Sequence, residues 1–71
     1  MSRYNSKRAE KFQEDLEEAR YEVSMSLMYA YDEEVISDWI KTLRGNDIIA
    51  LAAMPEEVAE GYFTKWLNNQ Q

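Results

Sequence analysis

The stretch Asp32 to Gly45, DEEVISDWIKTLRG, holds a helix whose start, apolar face and stop can all be read from the residues. Asp32 can accept a hydrogen bond from the first free backbone N–H groups, and Glu33 and Glu34 sit where the helix dipole favours negative charge. Val35, Ile36, Trp39, Ile40 and Leu43 then recur at i, i+1, i+4, i+5 and i+8, which gathers them into one apolar arc. Lys41 and Arg44 suit the negative end of the dipole, and Gly45 is expected to take the left-handed conformation that closes the last turn. An arc built around Trp39 needs other helices to cover it.

Upstream, neither Gly nor Pro occurs before position 45, and Asn5 or Ser6 can cap a helix that meets no local breaker until Asp32. Ala9, Phe12, Leu16, Ala19, Val23, Leu27 and Ala30 follow at alternating three- and four-residue spacing, the pattern of an inward face. A helix from Ser6 to Tyr31 would be roughly 39 Å long, against about 28 Å across a compact domain of this size, so its first turns should overhang or the helix should break. Downstream, Asn46 can cap a short apolar helix that ends before Pro55, because proline disfavours the helical conformation at Met54. Pro55 is then expected at the first position of a last helix, with Glu56 and Glu57 in its first turn. Val58, Ala59, Tyr62, Phe63, Trp66 and Leu67 repeat the arc seen around Trp39.

β-branched alternation is missing, so no strand competes. The expected fold is all-α: one domain over residues 1–71, a small bundle of about four helices spanning 6–31, 33–44, 47–53 and 55–68, with the long N-terminal helix as spine. A chain of 71 residues buries only about 60% of its unfolded surface, so the core is thin. An apolar fraction of 45%, including two Trp, five Tyr and two Phe, is still ample for a folded protein.

The absence of Cys removes any disulfide framework or thiolate site and fits a reducing compartment. The longest apolar run, Ile48 to Met54, is seven residues, far below the roughly 18 that cross a bilayer. Residues 2–22 are polar and charge-rich, unlike a signal segment, so the expected setting is cytoplasmic with no membrane contact. Fourteen acids against eight bases give a net charge of −6, which points to a protein partner with a basic surface and disfavours bare nucleic acid. The charge is uneven, because Arg3, Lys7, Arg8 and Lys11 outnumber Glu10 in the first eleven residues, a local +3 that leaves −9 on the rest.

Glu10, Glu14, Glu18 and Glu22 recur every four residues, so their carboxylates line one side of the helix about 6 Å apart, close to phosphate spacing. With Asp15 and Glu17 beside it, this ladder could imitate a nucleic-acid backbone and occupy a basic groove, or it could be the solvated face of an amphipathic helix. Like charges at this spacing repel by a few tenths of a kcal/mol per pair, and only Lys11 and Arg20 are placed to relieve them. Tyr21, Met25, Met28 and Tyr29 lie opposite the inward stripe, which makes this part of the helix apolar on two sides. They are either core under the last two helices or a contact surface for a partner or a second copy. Gly61, inside the last helix and away from Trp66, costs about 1 kcal/mol relative to Ala unless another backbone approaches there.

No catalytic group stands out. His is absent, so Ser24, Ser26 and Ser37 lack an activating base and no Glu–His metal motif can form. Gly45 and Gly61 are too far apart to cradle a phosphate. The expectation is a non-enzymatic interaction module, an inhibitor or adaptor, without cofactor or metal. Its first partner class is a basic protein that handles nucleic acid, met through the ladder. Two alternatives are a nucleic-acid-binding accessory protein using Arg3, Lys7, Arg8 and Lys11, and a structural homo-oligomer, most simply a homodimer.

Overall fold

A computed structural model describes the backbone of residues 3–70 and the side chains of residues 10–70. The chain forms four helices, α1 (Arg3–Leu27), α2 (Glu33–Lys41), α3 (Gly45–Ala52) and α4 (Glu56–Asn69), with no strand among the described residues. The all-α bundle with a long first helix as spine is therefore the observed architecture. The side chains of Arg3, Lys7, Arg8 and Ala9 lie outside the described residues.

Leu16, Ala19, Val23 and Leu27 of the α1 stripe are buried, and α3 packs along α1 with α2 and α4 closing the remaining sides. Ile36, Trp39 and Ile40 enter the core from α2, Ile48 and Leu51 from α3, and Ala59 and Phe63 from α4. Among the described residues no polar or charged one is buried and no buried side-chain N or O lacks a hydrogen bond, so no unpaired polar side-chain atom there offsets the apolar gain. The aromatic rings fix the packing. Phe63 meets Tyr31 edge-on at 4.8 Å and Trp39 at 5.3 Å, and stacks on Trp66 at 6.1 Å.

Asp32 caps α2 from an extended conformation, its Oδ1 accepting from the Glu34 N–H at 3.3 Å. Four boundary expectations are corrected. First, α1 stops at Leu27 and not at Tyr31: the Ala30 and Tyr31 N–H groups both turn back to the Leu27 carbonyl, which frees Tyr31 to reach Phe63. Second, α2 closes at Thr42 in a right-handed conformation, with the Thr42 hydroxyl donating to the Trp39 carbonyl at 2.7 Å. No described residue has a positive φ, so Gly45 is not a left-handed cap but the first residue of α3. Its lack of a side chain serves close approach instead, because a Cβ there would lie 2.8 Å from Phe12 Cζ. Third, Arg44 and not Asn46 precedes α3, without a side-chain cap. Fourth, Pro55 is the extended residue before α4, and Glu56 is its first helical one.

Three residues expected inside lie at the surface: Phe12 is 38% exposed at the edge of the body, Ala30 stands in the exposed turn, and Tyr62 is 60% exposed. The expected overhang of α1 is matched by an elongated shape, 46 × 22 × 17 Å with a radius of gyration of 13.7 Å.

Trp39 is 2% exposed and touches the ring at the centre of the core, so Trp39→Ala should lower stability by about 3–5 kcal/mol, read as a shift in the denaturation midpoint. Gly61 faces open space, with nothing within 4 Å of where an alanine methyl would stand, and Gly61→Ala should raise stability by about 0.5–1 kcal/mol in the same assay.

Candidate interaction surface

The outer side of α1 and the corner between α3 and α4 together form the most distinctive surface of the protein. Tyr21, Met25, Met28 and Tyr29 are 66%, 50%, 42% and 73% exposed, so this stripe is surface and not core. A cleft of about 650 Å³ runs between it and the α3–α4 corner, with Tyr21, Met25 and Tyr29 on one wall and Leu51, Ala52 and Met54 on the other. The register of α1 produces part of this arrangement, since Val23 and Leu27 hold one side of the helix in the core and turn Tyr21 and Met25 outward, while Tyr29 joins them from the turn after Leu27. Sequence spacing had no means of adding Met54, which reaches the cleft only because Pro55 turns the chain there.

The ladder is exposed along its length at Glu10, Glu14, Glu18 and Glu22, with Glu17 exposed beside it and Asp15 partly covered. It joins the cleft without interruption. Glu22 lines the cleft and also a shallow recess shared with Glu18, Asp15, Ile49 and Ala53, and Tyr21 stands between the cleft and Glu14, Glu17 and Glu18. Glu56 adds a further acid to the cleft, and among the described residues no Lys or Arg lines any of these three recesses. Arg20 and Lys41 lie elsewhere, around a depression between α1 and α2 with Ser24, Glu33 and Ser37. Arg20 therefore does not relieve the ladder. Lys11 relieves it only at Asp15, across 3.8 Å at the surface, a contact of small energetic weight.

Glu60 fixes the far end of the cleft. Its carboxylate accepts from the Tyr29 hydroxyl at 3.0 and 3.1 Å and from the Tyr31 hydroxyl at 3.1 Å, so α4 holds the turn that follows α1. The hydrogen bond to Glu60, followed by the repulsion of its charge, holds the Tyr29 phenol above its ordinary value of 10.0. Tyr31 is also raised, first by partial burial and then by the same carboxylate. Both shifts lead away from neutral pH.

Ser24, Ser26 and Ser37 gain no activating partner, and the Ser26 hydroxyl donates to the Val23 carbonyl of its own helix at 2.7 Å. Among the described residues, no group of three acids converges closely enough to hold a metal ion, and no helix is long and apolar enough to cross a membrane. Comparison with protein families, characterised proteins and solved structures finds no match for this chain.

The Tyr29–Glu60 pair stabilises the fold only while the phenol keeps its proton. Because the folded value lies above 10.0, this contribution should be complete below about pH 10 and lost as pH rises through the raised value. Glu60→Gln should bring the Tyr29 titration down towards 10.0 and flatten the alkaline fall in stability, measured by tyrosine-resolved NMR titration and thermal melts.

Proposed function

We propose that the protein is a non-enzymatic interaction module that captures a basic protein, with the ladder engaging positive charge and the adjoining cleft accepting an apolar anchor. The observation that carries this reading is the continuity of the two features. Glu14, Glu17, Glu18 and Glu22 make no ion pair with a described cation, and Tyr21 and Glu22 lead from them directly into the Met25, Tyr29 and Met54 cleft. An acidic rim beside an apolar recess matches a partner segment that mixes Lys or Arg with a large apolar residue. Tyr and Met suit such a recess, since both give large contact area and Met adapts its shape.

A protein whose basic groove normally holds nucleic acid is the first target class, because the ladder repeats negative charge about every 6 Å along a rod. An inhibitor or adaptor acts through such a contact by occupying the groove. The setting we infer is the cytoplasm, in keeping with a chain that contains no Cys.

The test is affinity capture, identification of the bound protein, and titration of that purified protein against three forms of the chain. Glu18→Lys with Glu22→Lys should abolish capture while leaving the fold intact by circular dichroism, since exposed helical positions tolerate such changes within about 0.5 kcal/mol. Tyr21→Ala with Met25→Ala should weaken binding about tenfold or more in a manner that persists in high salt, because apolar burial is not screened. Undiminished affinity in both variants would overturn the reading, and capture of DNA or RNA in place of protein would favour the basic N-terminal segment.

A further inference from the structure

The depression between α1 and α2, about 410 Å³ in volume, has a lining unlike the rest of the surface: Arg20, Ser24, Glu33, Ser37, Ile40 and Lys41. Neither the cleft, the two recesses beside the ladder nor the groove between Trp39 and Tyr62 has a Lys or Arg in its lining. Two of the five bases whose side chains are described therefore meet in one place, on a chain of net charge −6. Both are exposed, and neither forms an ion pair with a described carboxylate. Glu17 and Asp38, each three residues before one of these bases, are not part of the lining. Glu33 is part of it but opens α2, about 12 Å along that helix from Lys41 at its end.

The hydroxyls point the same way. Ser26, Thr42 and Thr64 each donate to the backbone carbonyl three residues back, at 2.7, 2.7 and 3.1 Å, the usual way for a helical hydroxyl to satisfy itself. Ser24 and Ser37 make no hydrogen bond with a described group, and they are the two serines of the depression. Spacing brings each of them beside a base: Ser24 follows Arg20 by four residues and Lys41 follows Ser37 by four, so each helix presents one cation and one hydroxyl on one side. The turn at 28–32 joins the two helices, and on each of them the base is farther from that turn than the serine, which sets Arg20 and Lys41 at the same end. Ile40, buried to 7% exposure, gives the depression an apolar floor.

We propose that this depression binds the phosphate group of a small organic phosphate monoester. Arg20 and Lys41 neutralise its charge, the Ser24 and Ser37 hydroxyls donate to its oxygens, and Ile40 meets the carbon skeleton of the ester. A phosphate monoester carries about −1.5 to −2 charge near neutral pH together with several strong acceptor oxygens, which matches two cations and two unused donors. A carboxylate or a sulfate ester carries a single charge and leaves one cation without a partner. Small-ligand pockets run from about 300 to 1,000 Å³, so the depression has room for the phosphate and a ring attached to it. No residue of the ladder or the cleft takes part, and the inference is independent of the capture of a basic protein.

Phenyl phosphate titrated into the full ¹⁵N-labelled chain in about 50 mM salt should give saturable amide shifts centred on Arg20, Ser24, Ser37 and Lys41, with a dissociation constant of about 1 mM or below. Phenyl sulfate, which has the same shape and one charge, should bind about tenfold more weakly. Inorganic phosphate should bind about threefold more weakly, because it leaves Ile40 uncovered. Arg20→Gln with Lys41→Gln should remove the saturable response, and Ser24→Ala with Ser37→Ala should weaken it about tenfold, with the helical circular dichroism of both chains unchanged. Shifts that stay linear to about 20 mM, that centre on other residues, or that survive the loss of both bases overturn the proposal. Equal binding of phenyl sulfate overturns the assignment to a phosphate, and equal binding of inorganic phosphate overturns the assignment to an ester. If an altered chain fails to fold, the ranking of the three ligands by the unaltered chain decides alone.

Discussion

The contact on which the rest of the structure depends is the fully buried ring of Phe63 against Tyr31 and Trp39. One side chain of α4 thereby holds the turn after α1 and the centre of α2. Such ring pairs contribute about 0.5–1.5 kcal/mol each beyond their buried area, a large share of what a domain of this size has to spare. The path of the chain follows from that contact. Tyr31 can reach Phe63 only if α1 stops at Leu27, and the Tyr29 and Tyr31 hydroxyls then converge on Glu60, one helical turn before Phe63.

This dependence explains which parts of the fold were legible in the sequence. The start of α2 was, because Asp32 acts on an N–H two residues away and needs nothing from the rest of the chain. The inner faces of all four helices were also legible, since burial follows helical spacing at Leu16, Ala19, Val23, Ile36, Trp39, Ile48 and Phe63. The end of α1 was not, because no residue between Met28 and Tyr31 breaks a helix locally and the cause lies far along the chain at Phe63. Gly45 was misread for a different reason. A glycine near a helix end serves either a left-handed cap or a close approach, and only the position of Phe12 distinguishes them.

The surface was legible in composition but not in arrangement. Spacing alone placed Glu10, Glu14, Glu18 and Glu22 on one side of α1 and Tyr21, Met25, Met28 and Tyr29 away from the core stripe. Whether the second group was covered depended on where α3 and α4 lie. They meet at Met54 and Pro55, beside the stripe and not over it, which turns an exposed row into one wall of a cleft. The segregation of charge, in contrast, is local: Arg20 is two residues from Glu18 and Glu22, about 160° round the helix from each, and lies on the α2 side with Lys41.

Burial and exposure are divided between two sides of one helix, and the division goes with a thin core. In this chain of 71 residues α2, α3 and α4 cover one side of α1, and among the described residues no polar or charged one is buried. The opposite side is left without a role in folding, so its residues can change charge or size at small cost to stability. Yet those residues are not the short polar mixture that solubility alone would require. They include rows of like charge that repel one another, and large Tyr and Met side chains held at 42–73% exposure. Both features cost the isolated chain free energy, the first through repulsion and the second through contact of apolar surface with water. The ladder and the cleft meet at Tyr21 and Glu22, so both features belong to one continuous surface.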